Sequence, residues 1–233
     1  VRKTLRLKAN KGMELTGMDI GIATEGTFGP DPVAPHICAH TETMIVIDRG
    51  NDLEITEQLV SHETNYEQLL YKPGGDLESF LERIGFPEHA VIVQPEEPKL
   101  FNRLFKEPGT VKGVRDYDLL LTTLEQICRA SRTGRAVIET DMRAGMNPTR
   151  MKVIRKLGKV MTDRLQRHCP ACEVPGWGIT FRKQGLPCSG CGMPTQFTLN
   201  EIWSCSACGF SDEQPRSDGK QKADPGYCHF CNP

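Results

Sequence analysis

The last third of the chain carries four CxxC pairs within 63 residues: Cys169-Pro-Ala-Cys172, Cys188-Ser-Gly-Cys191, Cys205-Ser-Ala-Cys208 and Cys228-His-Phe-Cys231. The two-residue gap lets both sulfurs of a pair face one ion, and amides of the turn can donate to them. Eight thiolates in paired knuckles are the ligand set of two tetrahedral four-cysteine zinc sites. Iron in a rubredoxin-like site is the competing metal, because a tetrahedral all-sulfur shell suits both. A disulfide framework is the weaker alternative, since pairs this close read as metal knuckles. A four-cysteine site is closed and keeps no coordination position for a substrate, so it builds structure. The expected organisation is an α/β domain over residues 1–167 followed by a small zinc-ribbon-like module over residues 168–233.

The order in which the knuckles share metal is a separate question. Pro194 to Ser204 reads as strand, Asn200-Glu201 turn, strand, and a ribbon site needs such a hairpin between its knuckles. The 211–226 stretch has almost nothing to bury and reads as a mobile loop. The expectation is therefore nested: Cys188, Cys191, Cys205 and Cys208 on one ion, Cys169, Cys172, Cys228 and Cys231 on the other. Sequential and cross-braced pairings are the alternatives.

Charge is balanced overall, with 29 Lys and Arg against 30 Asp and Glu. That removes the global electrostatic footprint expected for nucleic-acid or membrane binding. The cysteine module has five basic residues against six acidic, which also argues against nucleic acid as a partner. Locally the charge is uneven: residues 48–98 carry twelve acidic and three basic side chains, and residues 149–168 carry seven basic and one acidic. Solvated, mutually complementary faces account for such blocks. No apolar run approaches the ~20 residues of a membrane span, and no secretory segment is visible. Cysteines kept in metal-type pairs suit a reducing, cytoplasmic setting. The chain opens at Val1 as if inside a helix, which suggests a preceding N-terminal portion.

Periodicity predicts a helix over 1–15, with Leu5, Ala9 and Met13 inward and Gly17 as its stop. Residues 18–23 and 43–48 read as strands, with 53–60 returning as a hairpin partner. Asp76 caps a helix ending at Gly85, and a second runs from Tyr117 to Ser131 with Cys128 as a core residue. Residues 90–93 and 135–141 are further strands, and 95–115 reads as irregular. Asn147-Pro148 opens a long helix whose expected inner side is Ile154, Leu157, Met161 and Leu165. The fold class is α/β: a layered mixed sheet with flanking helices, plus the zinc module.

Ligands of open α/β sheets bind beyond strand ends, where three polar stretches stand: Thr24 to Thr27, His62 to Asn65, and Glu139 to Arg150. Glu139 and Asp141 lie two residues apart on a strand, so both carboxylates can reach one Mg²⁺. Arg143 and Arg150 sit near a helix N-terminus, which favours anions. The bland alternative is that these carboxylates and guanidinium groups staple the loop to itself. His36, Cys38 and His40 alternate, and a third metal site is a weaker candidate there.

The run from Met13 to Pro30, the stretch Glu-Thr-Asp-Met-Arg-Ala-Gly-Met-Asn-Pro-Thr-Arg-Met at 139–151 and the four CxxC pairs ending in Cys-Asn-Pro together resemble an uncharacterised bacterial family of unknown function. The resemblance covers nearly the whole chain and supplies no catalytic residues. Where that family's pattern carries histidines, this chain has Asp31 and Gly145, so a metal site built on those histidines does not carry over. Two functions follow from the residues. One is a Mg²⁺-dependent hydrolase of a phosphate-containing small molecule or nucleotide, with Glu25, Glu139 and Asp141 on the metal and Arg143 and Arg150 on the phosphate. The other is a non-catalytic zinc-ribbon protein presenting a surface to a protein or nucleic-acid partner.

Overall fold

The computed structural model describes residues 1–31, 36–96 and 109–233. Its helices are α1 (Arg2–Thr16), α2 (Glu78–Ile84), α3 (Tyr117–Ala130) and α4 (Pro148–Leu165). Its strands are β1 (Ile20–Pro30), β2 (Cys38–Asp48), β3 (Leu53–Ser61), β4 (Gln68–Tyr71), β5 (Val91–Pro95), β6 (Val111–Val114), β7 (Ala136–Thr140), β8 (Gly178–Gln184), β9 (Thr198–Ser204) and β10 (Ser211–Pro215). Three sheets form, in the orders β1-β2-β3, β4-β7-β5-β6 and β10-β9-β8. The α/β character is as expected, and a small cysteine-bearing module closes the chain. No described helix is long and apolar enough to cross a membrane.

The chain divides into two compact units that are not consecutive in sequence. Unit 1 holds residues 1–25, 44–57 and 158–233, and unit 2 holds residues 26–43 and 58–157.

In unit 1, α1 buries Leu5, Ala9 and Met13 at the expected spacing of four. Leu5 and Ala9 pack with Ala23 and Ile45. Gly17 ends the helix in left-handed backbone (φ 71°), its N–H donating to the Met13 carbonyl; only glycine takes that conformation without a Cβ clash. Further along the unit, Met161 and Arg164 are buried on α4. The buried stripe of that helix is Val153, Leu157, Met161 and Arg164, one residue away from the expected Ile154 and Leu165 at its two ends. Arg164 is tolerated inside because its donors are used: Nε reaches the Gly176 carbonyl at 3.0 Å, and Nη1 reaches the Thr56 carbonyl at 3.2 Å and Glu57 Oε1 at 2.7 Å.

In unit 2, α2 and α3 cover one face of the four-stranded sheet. The core holds Phe80, Leu81, Ile84, Val91, Val93, Leu120, Leu124, Ile127, Ala136 and Ile138, with Cys128 among them as expected. Burying each large apolar side chain contributes about 1.5–3 kcal/mol, so this core is what holds the unit. Asp76 caps α2 and Asp116 caps α3 through side-chain bonds to Ser79 N and Leu119 N. The expected irregular stretch 95–115 contains β6 near its end, while residues 97–108 lie outside those described. Alternation along β7 leaves Ala136, Ile138 and Thr140 in the interior and turns Glu139 to the opposite face. There Glu139 stands beside Ile92 of β5, and Ile92 beside Lys112 of β6.

Candidate functional site

The cysteine module holds two quartets: Cys169, Cys172, Cys205 and Cys208, and Cys188, Cys191, Cys228 and Cys231. In each, the sulfurs lie within 4.8 Å of one another, so each can hold one metal ion. Sulfur separations are 3.8 Å for Cys169–Cys208, 3.6 Å for Cys172–Cys205, 3.8 Å for Cys188–Cys231 and 3.6 Å for Cys191–Cys228. Four sulfurs at about 2.3 Å from a tetrahedral zinc stand ~3.8 Å apart, so the quartets fit that ion. All ten cysteines are unpaired by disulfides.

The pairing is cross-braced, which corrects the nested expectation. The reason is β10. Residues 211–215, read from sequence as part of a loop, form an edge strand antiparallel to β9, with Ser211 opposite Ser204 and Pro215 opposite Asn200. β8 enters directly after the first knuckle and starts beside the end of β9, Gly178 opposite Ser204. That brings Cys169 and Cys172 to Cys205 and Cys208 at one end of the sheet. β10 then carries the chain back along β9, and Cys228 and Cys231 meet Cys188 and Cys191. The return is pinned by Arg216 Nη1 on the Thr198 carbonyl at 2.8 Å and by Ser217 N on Glu201 Oε2 at 3.2 Å. Residues 198–204, expected to contain a turn at Asn200, are one continuous strand.

Three knuckles share one backbone solution. The N–H of residue i+4 donates to the carbonyl of the first cysteine, as Glu173 to Cys169, Gly192 to Cys188 and Gly209 to Cys205. That residue takes positive φ each time: 59° at Glu173, 75° at Gly192 and 74° at Gly209. Two knuckles also aim an amide at the first sulfur, Ala171 at 3.4 Å and Gly190 at 3.3 Å. Such donors stabilise a thiolate. Trp177 stacks with Phe210 (5.5 Å) beside the first quartet, forming a small core with Cys169 and Cys205.

A second site lies in unit 2, a cleft of about 360 Å³ over the face of the four-stranded sheet opposite α2 and α3. Glu139, Asp141, Arg143 and Arg150 all line it, joined by Gly26, Phe28, Tyr66, Ile92, Lys112, Thr140 and Met142. Glu25 belongs to unit 1, where its carboxylate is taken by the Lys8 ammonium. Among the described residues, the groups of three or more His, Cys, Asp or Glu able to share an ion are the two cysteine quartets. Glu25, Glu139 and Asp141 therefore form no ready-made cation cage. The alternation of His36, Cys38 and His40 gathers no metal group either.

The cleft residues differ sharply in how occupied they are. Asp141 is fully buried, and Arg143 Nε lies 2.9 Å from its Oδ1, with Nη2 2.5 Å from Oδ2. Burial pushes this carboxyl up, but the Arg143 side chain and backbone N–H outweigh it and hold the pKa below the usual carboxylate value. Arg150 is as fully engaged. Its Nε and Nη2 each lie 3.0 Å from a carboxylate oxygen of buried Glu42, and Nη1 donates to the Met142 carbonyl at 2.6 Å. His40 Nε2 meets the same Glu42 at 2.7 Å, while its Nδ1 is buried without a partner. Burial raises Glu42, but His40 and Arg150 together bring its pKa below the ordinary value. Gly26 makes room for this pair: a Cβ there would stand 2.6 Å from Glu42 Oε2 and 3.0 Å from Arg150 Nη2.

The N-terminus of α4 offers no free donor to an anion. Thr149 N donates to His89 Nε2 (3.3 Å), Arg150 N to Asn147 Oδ1 (2.9 Å) and Met151 N to the Asn147 carbonyl (3.0 Å), and Pro148 has no N–H. The expected helix-terminus phosphate site is satisfied by protein instead. The side chains of Glu139 and Lys112, by contrast, make no hydrogen bond or ion pair among the described residues. Arg143 keeps about half of its side chain in solvent.

Sequence reasoning missed Lys112, Phe28, Tyr66 and the Glu42–His40 support. Glu42 was legible only as a carboxylate inside an apolar strand, a placement that requires a buried cation. Lys112 had no signal, because its place beside Ile92 depends on the β5–β6 register.

No curated protein and no solved structure matches the chain. The family model described as Domain of unknown function (DUF6671) matches residues 8–233, and the chain belongs to that family.

Proposed function

We propose that the protein is a Mg²⁺-dependent hydrolase of a phosphate-bearing small molecule bound in the unit 2 cleft, with two structural zinc ions in its cysteine module and a cytoplasmic, reducing setting. The observation that carries the reading is that the side chains of Glu139 and Lys112, on one sheet face beside the half-exposed Arg143, have no partner among the described residues. Mg²⁺ keeps several waters and needs only one or two carboxylates besides the substrate's own phosphate oxygens. Glu139 supplies one such carboxylate. Lys112 and Arg143 face the charge that builds on the phosphoryl oxygens as water attacks phosphorus and the alkoxide leaves. Asp141 positions Arg143 rather than holding metal, and Arg150 is a buried strut rather than an anion clamp.

The test is phosphate release from a panel of sugar phosphates and nucleotides, with and without Mg²⁺. Glu139→Gln is expected to lower turnover by about 10²-fold, in the range of losing one charge-stabilising group, and to weaken Mg²⁺ binding. Absence of both Mg²⁺ binding and turnover across the panel overturns the hydrolase. A second reading, a docking surface on the cysteine module, would then be favoured by Phe181, Tyr227 and Phe230, exposed at 63%, 66% and 67%.

A further inference from the structure

The cleft has two chemically different ends, and their separation follows from strand register. Across the sheet the row runs Lys112, Ile92, Glu139, Gln68 on β6, β5, β7 and β4. Neighbouring strands stand about 4.8 Å apart, so Lys112 and Glu139 backbones are ~10 Å apart and Lys112 and Gln68 ~14 Å. The cationic end is at β6. There the chain bulges at Gly113 (φ 76°), between the pairs Val91–Val114 and Ile92–Lys112. A Cβ on Gly113 would stand 3.1 Å from Arg143 Nη2, so the Arg143 guanidinium lies against this strand, next to Lys112.

The opposite end is aromatic. Tyr66 lies two residues before Gln68, and its ring stacks on Phe28 at 5.9 Å. Phe28 in turn stacks on His40 at 4.4 Å, with the Arg150 guanidinium 5.7 Å from its centroid. Tyr66 ends this pile of rings and is 39% exposed. An exposed ring over a cleft, backed by two further rings, is a platform for another flat π-system. Glu139 stands between the two ends, where its carboxylate would hold the Mg²⁺.

We propose that the ligand of this cleft is a nucleoside phosphate, with its base stacked on Tyr66 and its phosphate at Lys112 and Arg143, on the side of the Mg²⁺ that Glu139 would hold. This rests on the phosphate reading above and names the ligand class. Phosphate-binding cations at one end and a π-platform at the other match the order of groups along such a molecule.

The experiment is calorimetric titration of the full, metal-loaded chain with AMP, ribose 5-phosphate, adenosine and inorganic phosphate, Mg²⁺ present throughout. AMP is expected to bind about tenfold tighter than ribose 5-phosphate, the scale of one base–aromatic stack. Tyr66→Leu should abolish that preference while Tyr66→Phe keeps it, and Lys112→Ala should weaken both phosphates by a similar factor. Equal affinity for AMP and ribose 5-phosphate overturns the nucleotide inference and leaves the phosphate reading standing. Adenosine binding as well as AMP overturns the phosphate reading. No binding by any of the four overturns both.

Discussion

Unit 1 and unit 2 are of similar bulk but are held by different means. Unit 2 has an apolar core in which Phe80, Ile84, Leu120, Leu124 and Ile138 are essentially inaccessible. The cysteine module of unit 1 has a thin equivalent, Trp177 with two cysteines and a few half-buried neighbours. Its strands β8 and β10 are mostly exposed. A sheet like that does not persist on its own side chains; its cohesion is expected to come from metal at both ends. The difference teaches that one chain can be organised by solvent exclusion in one unit and by coordination in the other, and the two respond to different insults.

The largest expected effect separates them directly. Structural zinc in small modules contributes about 10–16 kcal/mol of folding free energy at neutral pH. Chelation should therefore erase amide-exchange protection across 169–231 while Val93 and Ile138 stay protected. The cross-brace makes a sharper form of the same test. Cys172→Ser with Cys205→Ser removes ligands from one quartet only, so metal analysis should find one ion retained; loss of both would restore the nested or sequential pairing.

Next in size is a cavity in unit 2. Leu124→Ala should cost about 2–5 kcal/mol, as for other fully buried leucines, and leave two metal ions bound. Denaturant melts and metal content measure the two halves of that statement.

Acid should act on unit 2 through Asp141 and Glu42. Both folded-state pKa values are depressed, so the unfolded chain takes up protons first as pH falls. Their contribution is present above the ordinary carboxylate value of about 4 and is lost as pH drops through the folded values. Protection of Val93 and Ile138 should decline over that window. Arg143→Met should move the onset for Asp141 upward, since burial is then opposed only by backbone N–H groups of residues 143 and 113. An onset unchanged by Arg143→Met would contradict the role given to that pair.

The smallest effect concerns backbone. Glu173 occupies a left-handed conformation that glycine fills in the two equivalent knuckles. Glu173→Gly removes a Cβ cost of about 1–2 kcal/mol against a glycine entropy loss of about 0.5–1 kcal/mol. A slight rise in melting temperature is expected, and a fall would mean the Glu173 side chain has a role of its own.

Much of the frame was legible from residues. Leu5, Ala9 and Met13 announced α1, Asp76 and Asn147 capped their helices, and Gly17 and Gly85 stopped theirs. The grouping of Glu139, Asp141, Arg143 and Arg150 was legible too, since β7 and the start of α4 are close in sequence. Their availability was not. Arg150 is consumed by Glu42, a residue 108 positions earlier, and no local pattern reports so distant a partner. β10 escaped for another reason: Ser-Asp-Glu-Gln-Pro carries no strand propensity, and an edge strand is held by backbone bonds that nearly any sequence can make.

The sequence by itself determined the ligand atoms and the helices, because CxxC geometry and helical periodicity are local properties of covalent spacing. Only the tertiary structure decided which knuckles share an ion, which carboxylates are spent on arginines and that Lys112 and Tyr66 face one cleft. Those outcomes depend on strand register and long-range pairing, where many arrangements satisfy the same local rules and the total of buried contacts selects one.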